Sequence, residues 1–200
     1  MQRFTEIEGI RGILAFIIVL YHYGLNTIVL KISGGIIENS HWGNAVDFFF
    51  VISGFVLGHS QNRQQKTWGQ FSIQRAFRLL PPYLALFILY IAFEVSSWEH
   101  GEASLMLSTI GLSYMLGMPQ WNGVSWSMSV ELYLPILFFG AFFILKKRRI
   151  LNLIFFAISL LCCSIISTSY PLIDTPSGLL RGLFGIGLGI TLFLCAETFQ

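Results

Sequence analysis

Gly12 to Leu30 runs for nineteen residues without a formal charge, with Arg11 immediately before it and His22 inside it. Nineteen apolar residues are enough for one helical crossing of a bilayer. An α-helix turns about 100° and rises ~1.5 Å per residue, so the eleven steps from Arg11 to His22 make almost whole turns over ~16 Å. Both side chains therefore leave the helix on one face. Ionisable groups at membrane depth are costly and usually face a protein interior or a water-filled cavity. The first helix thus implies a bundle around it, with chemistry on its inner side.

The rest of the chain agrees with a membrane environment. Hydrophobic residues make up 54% and charged residues 11%, with a mean hydropathy of +0.69. A soluble domain carries roughly 25% charged residues, enough to cover a wetted surface. The expected fold class is all-α, a polytopic transmembrane bundle forming one domain over residues 1–200. Glu6 and Glu8 precede the first apolar run, which distinguishes it from a cleaved signal peptide. Cys162, Cys163 and Cys195 lie in apolar runs and are expected to be small buried hydrophobes, with no spacing that fits a metal.

Charge placement orders the spans. Eight of the twelve basic residues lie in two stretches, Arg63, Lys66, Arg75 and Arg78, then Lys146 to Arg149. Basic connections favour the cytoplasmic side. The first stretch is read as a connection, with Pro81 and Pro82 opening the next span at about Tyr83 to Val95, since proline is tolerated in a first helical turn. Returning to the same side by Lys146 requires an even number of crossings. Of the three apolar runs between, Leu105 to Met118 has fourteen residues, a length that suits a re-entrant segment better than a span. With Ile150 to Ser169 and Leu179 to Cys195 this gives about six spans plus one re-entrant segment, both termini cytoplasmic. A bacterial inner membrane is the expected location. Gly54 and Gly58, and the ladder Gly182, Gly185, Gly187 and Gly189, are expected to serve close helix packing.

In this topology His22, Asp47 and Glu131 converge on one membrane level from three helices. Histidine exchanges a proton near neutral pH, with an ordinary pKa of about 6.5, and a carboxylate can orient it. Pro135 stands four residues after Glu131 and has no N–H, so the Glu131 carbonyl lacks its helical donor and should attract a polar partner. Arg75 and Arg78, three apart on one helical face, suit a phosphate-rich ligand, because guanidinium binds phosphate oxygens bidentately. Arg11 would extend that positive path inward. Each residue also has a plainer reading: Arg75 and Arg78 as headgroup anchors, Asp47 as an interfacial helix cap, Arg181 as a snorkelling side chain, and Ser125, Ser127 and Ser129 as N-caps.

Four motifs occur in order: Arg11-Gly12 with His22; Val46-Asp47-Phe48-Phe49-Phe50-Val51-Ile52-Ser53-Gly54-Phe55; Arg75-x-x-Arg78 before Pro81; and Trp126-Ser127-Met128-Ser129-Val130-Glu131. Together they resemble the acyltransferase-3 family of membrane proteins, over roughly residues 5 to 145, and the Arg181-Gly182 region is similar to it more weakly. The resemblance implies transfer of acyl groups, often acetyl from acetyl-CoA, to hydroxyls of cell-surface carbohydrates or small molecules. It implies that His22 is the catalytic histidine, with Arg11 as its motif partner, that Glu131 is an essential carboxylate, and that Arg75 and Arg78 contact coenzyme A. It also implies about ten spans, so six suggest an N-terminal portion. Most relatives carry a second acidic residue and an aromatic soon after the glutamate, whereas here Leu132 and Tyr133 follow it directly.

These lines lead to an expected membrane O-acyltransferase. Its catalytic residues would be His22, Glu131 and Asp47, and acyl-CoA would be the donor substrate, held by Arg11, Arg75 and Arg78. The expected partners are acyl-CoA, a surface glycan or small-molecule acceptor and membrane lipid, with no nucleic acid, metal or permanently bound cofactor. The competing reading is a transporter or flippase for a lipid-linked or anionic substrate, with Arg11, His22 and Glu131 as a relay. A third is an inactive piece that packs on a partner.

Overall fold

In the computed structural model, the described residues are 5–22, 24, 28, 31–32, 44–63, 67–93, 101–118, 121, 125–145, 154, 157–161 and 175–198. They are helical, with turns in 110–118 and no strand among them. Six helices have defined bounds: α1 Thr5–His22, α2 Ala45–Arg63, α3 Trp68–Phe93, α4 Gly101–Thr109, α5 Trp126–Leu145 and α6 Thr175–Thr198. The basic run Lys146 to Arg149, Cys162, Cys163 and most of the expected span Ile150 to Ser169 lie outside the described residues.

The centre of the bundle is the contact of α2 with α6. Paired positions keep a nearly constant offset along both helices: Asp47 meets Arg181, Phe50 meets Gly185, Phe55 meets Gly189, and Gly58 meets Phe193. The two helices therefore run parallel. Their closeness depends on missing side chains. A Cβ on Gly54 would strike the Ile186 carbonyl, and one on Gly189 would strike that of Val51. Inside lipid, apolar side chains gain little by leaving an apolar solvent, so association rests on close van der Waals contact. Small residues at the contact give that closeness, as expected from the glycine spacing. The helix α5 is parallel to both, with Trp126 against Gly178 and Val130 and Leu134 against Gly182. Phe50, Val130, Leu134, Ile186 and Ile190 fill the space among the three.

One sequence expectation is corrected at Pro81 and Pro82. They lie inside α3 rather than opening a helix, so Arg75 and Arg78 belong to a continuous helix and not to a connection. Proline keeps a helical φ, and its costs are the lost hydrogen bond and a clash at the carbonyl four residues back. Both prolines are exposed on the bundle surface, where no neighbouring helix restricts that adjustment. The helix α3 runs antiparallel to α5. Phe71 stacks on Phe139 at 4.2 Å between ring centroids, Trp68 Nε1 donates to the Ile136 carbonyl at 3.0 Å, and Arg75 meets Glu131.

At 26 residues α3 is long and apolar enough to cross a membrane, as is Gly178–Glu197 of α6. The apolar stretches Gly9–His22, Ala45–Ser60 and Trp126–Ala141 are shorter. At most 16 residues long, they extend ~24 Å, against a hydrocarbon thickness of ~30 Å. Cys195, expected to be buried, is exposed.

Leu105 to Met118 is a short helix followed by turns. The helix α4 ends in a Schellman arrangement: Leu112 N–H donates to the Leu107 carbonyl at 2.8 Å and Gly111 N–H to Ser108 at 3.0 Å. Gly111 supplies the left-handed residue such a cap needs, with φ +67°. The pattern recurs at once, Met118 to Ser113 and Gly117 to Tyr114, with Gly117 also at φ +67°. Nine helical residues reach only ~14 Å, too short to cross. The segment is fastened by the hydroxyls of Tyr83, which donates to the Ser108 carbonyl at 2.6 Å, and Tyr133, which donates to that of Ile110 at 2.7 Å. Tyr114, 1% exposed, plugs it against Gly178 and Trp126 at the N-terminal ends of α6 and α5.

Candidate functional site

Glu131 stands in the second turn of α5 and is the junction of four helices. Three donors converge on its Oε1: Ser53 Oγ of α2 at 2.8 Å, Arg75 Nη2 of α3 at 2.7 Å and Arg11 Nη2 of α1 at 3.2 Å. The residue is buried. Its other oxygen, Oε2, is buried without a hydrogen-bond partner among the described residues.

The main chain of Glu131 takes part as well. Pro135 leaves its carbonyl without the helical donor, and Arg75 fills the gap, Nε at 2.8 Å and Nη2 at 2.6 Å. The freed carbonyl thus acquires the polar partner expected from sequence. One guanidinium grips both carbonyl and carboxylate of a single residue. Aromatic faces complete the surroundings, Phe49 under Arg11 at 4.7 Å and Phe71 near Arg75 at 6.0 Å.

Two guanidiniums face one carboxylate here, so the cluster keeps a surplus positive charge. Arg78, one turn beyond Arg75, adds to it. It is exposed, and no carboxylate among the described residues lies within ion-pair distance of it.

A second cluster lies about two turns away along α2, at the end where α2, α5 and α6 all begin. Arg181 pairs with Asp47 through both carboxylate oxygens, Nε to Oδ1 at 2.8 Å and Nη2 to Oδ2 at 3.0 Å. Its guanidinium lies 5.3 Å from the Trp126 ring centroid. Arg181 is therefore a clamp across three helices rather than a snorkelling side chain.

His22 ends α1 and is exposed, with its ring edge-on to Tyr21. Among the described residues no ion pair joins His22 to Asp47 or Glu131: Glu131 is held by Arg11 and Arg75, and Asp47 by Arg181. The physical reason is charge. A carboxylate in an apolar bundle pairs with the guanidinium that its helix packing brings nearest, because an unpaired buried charge is costly. No group of three His, Cys, Asp or Glu side chains among the described residues is placed to hold a metal ion.

Sequence reasoning passed over Ser53 and the partners of Arg181. Ser53 carried a signal, as the lone polar side chain between Phe48 and Gly58. Arg181 lies 134 residues from Asp47, and nothing local connects them.

Residues 4–196 match the family described as an acyltransferase domain. Over 182 residues the chain is 29% identical to a protein of Komagataeibacter xylinus named "Putative membrane-bound transacylase BcsY", covering 80% of this chain and 44% of that protein. The chain thus spans less than half the length of this relative. No solved structure matches significantly. The family, its membrane-bound relative and the apolar helices identify a membrane protein.

Proposed function

Given that the chain belongs to the acyltransferase domain family, we propose that it transfers an acyl group, acetyl being the simplest, from acyl-CoA to a hydroxyl of a cell-surface carbohydrate. One observation carries the choice of donor. Arg11, Arg75 and Arg78 bring three guanidiniums to a site where Glu131 supplies one carboxylate. Surplus positive charge in an apolar bundle calls for an anion, and the phosphates of coenzyme A are anions that guanidinium binds well.

His22 is the base of the reaction. As the acceptor oxygen attacks the thioester carbonyl, the imidazole takes the hydroxyl proton. The tetrahedral intermediate then breaks its C–S bond, and coenzyme A leaves as a thiolate that takes up the proton from the imidazolium. The new ester oxygen comes from the acceptor. Exposure of His22 at the end of α1 favours its meeting an acceptor that arrives from outside the bundle. In this reading the chain has six spans with its N-terminus in the cytoplasm of a bacterial inner membrane, and Leu105 to Met118 forms a re-entrant piece under the outer surface. Parallel α2, α5 and α6, with α3 opposed, accord with that alternation.

The test is the O-acyl content of surface glycans by mass spectrometry, in cells carrying the intact gene or His22→Ala at equal membrane abundance. Loss of acyl groups in the variant alone supports transfer to a glycan. Unchanged acylation, with both proteins inserted, removes His22 from the chemistry and favours transport of an anionic substrate.

A further inference from the structure

The helix α1 is attached to the bundle differently from the other five. Among the described residues none of its side chains is buried, whereas every other helix has at least two that are. Ile7, Arg11, Leu14 and Ile18 are half-buried along one face, while Ile10, Ile13, Phe16 and Val19 are exposed. Its glycines make no close approach: a Cβ on Gly9 or Gly12 would meet nothing, in contrast to the notches that seat α2 on α6. In lipid, apolar contacts of this kind fix a helix weakly along its axis, because sliding exchanges one apolar neighbour for another.

Arg11 supplies the directional contact. Among the described residues it makes the only hydrogen bond or ion pair from an α1 side chain to another helix, Nη2 to Glu131 Oε1 at 3.2 Å, with Phe49 under its guanidinium. Glu131 is a fixed anchor, since Ser53 and Arg75 hold the same oxygen. His22 lies eleven residues on, ~16 Å along the same helix and on the same face, and a slide of α1 by one residue carries it ~1.5 Å.

We infer that Arg11 is a positioning residue for His22: it pins α1 to the bundle through Glu131, and the pin sets where the imidazole stands relative to the core of α2, α5 and α6. The inference rests on the reading of His22 as the base and adds what places that base. Loss of Arg11 leaves Arg75 on Glu131, so the effect falls on α1 and not on the junction of α3 with α5. The pin is a single-point contact, one nitrogen on one oxygen. Glu131 Oε2 is buried and has no hydrogen-bond partner among the described residues, so Arg11→Lys brings one ammonium to a carboxylate with an oxygen that neither Ser53 nor Arg75 uses. A guanidinium fork that bound a ligand phosphate through two nitrogens would not be replaced by lysine in this way.

The experiment uses the full chain in phosphatidylcholine nanodiscs, with Cys162, Cys163 and Cys195 replaced by alanine and spin labels on two introduced cysteines. Ile13→Cys with Leu192→Cys reports α1 against α6, and Ile73→Cys with Leu192→Cys reports α3 against α6; all three native side chains are exposed. Distances are measured by pulsed electron paramagnetic resonance with Arg11 intact, Arg11→Met and Arg11→Lys. O-acyl content of surface glycans is measured in cells carrying the same substitutions of Arg11 at equal membrane abundance. Arg11→Met keeps the stem and removes the donor. It is expected to broaden the α1 to α6 distances by up to ~5 Å, one helical turn, to leave α3 to α6 unchanged, and to lower O-acylation ~10- to 100-fold, as misplacement of a reacting group does. Arg11→Lys is expected to restore the narrow α1 distance and most of the acylation.

The inference is overturned if Arg11→Met leaves the α1 to α6 distance narrow, which means that α1 is held by other contacts. It is overturned if α3 to α6 broadens equally, which means that the whole junction has loosened. It is overturned as well if Arg11→Lys restores the distance and not the acylation, which makes Arg11 a contact to the donor. Full acylation with His22→Ala removes the reading of His22 as the base, while the distances still decide whether Arg11 pins α1.

Discussion

Arg75 holds Glu131 twice, by its main-chain carbonyl at 2.6 and 2.8 Å and by its carboxylate at 2.7 Å. The double grip exists because Pro135 withholds the usual helical donor. Glu131 is thereby the keystone between α3 and α5, with α1 and α2 joined through Arg11 and Ser53.

Glu131→Gln is expected to lower stability by about 3–5 kcal/mol, the cost of removing one partner of a buried ion pair. Arg11 and Arg75 would keep their charges and lose the anion between them. Thermal unfolding in detergent, followed by tryptophan fluorescence, measures the effect. Glu131→Asp, which keeps the charge on a shorter arm, should recover part of it.

Asp47 and Arg181 should behave as a couple. Asp47→Ala and Arg181→Ala each remove one half of a bidentate pair, and the double variant should be no worse than the poorer single one. A double-mutant cycle on unfolding free energy is expected to give a coupling of about 1 kcal/mol or more, within the range for groups in direct contact. A coupling near zero would show that the clamp contributes nothing to stability.

Glycines at the α2 and α6 contact divide by what a new Cβ would meet. Gly54→Ala and Gly189→Ala drive the added carbon into rigid backbone carbonyls of Ile186 and Val51, so both should cost at least the ~1–3 kcal/mol typical of overpacking. Gly9→Ala meets open space and should be neutral or stabilising by up to ~1 kcal/mol from helix propensity. Membrane abundance and unfolding temperature rank the three.

Gly111→Ala and Gly117→Ala place a Cβ at φ +67°, which costs ~1–2 kcal/mol for an L-residue in the left-handed region. The expected outcome is local: faster amide hydrogen exchange in residues 105–118, with little change in the α2 and α6 core.

Much of this was legible locally. Composition alone requires an apolar surround, and the long uncharged runs require helices. The missing N–H of Pro135 required a polar partner for the Glu131 carbonyl, and the glycine spacings foretold a close helix contact. Pro81 and Pro82 misled, because proline marks a helix boundary only where the lost hydrogen bond cannot be borne, and on an exposed face of α3 it can.

The pairing of charges was decided by tertiary structure. Arg75 lies 56 residues from Glu131, Arg11 lies 120, and Arg181 lies 134 from Asp47, and no periodicity spans such distances. Which guanidinium reaches which carboxylate follows from helix direction and register: α3 antiparallel to α5 through Phe71 on Phe139, α6 parallel to α2 through the glycine contacts. Sequence therefore determined which residues carry charge into the bundle and where along each helix they sit. Packing determined their partners, because a buried charge is satisfied by whatever opposite charge the register brings within ~3 Å.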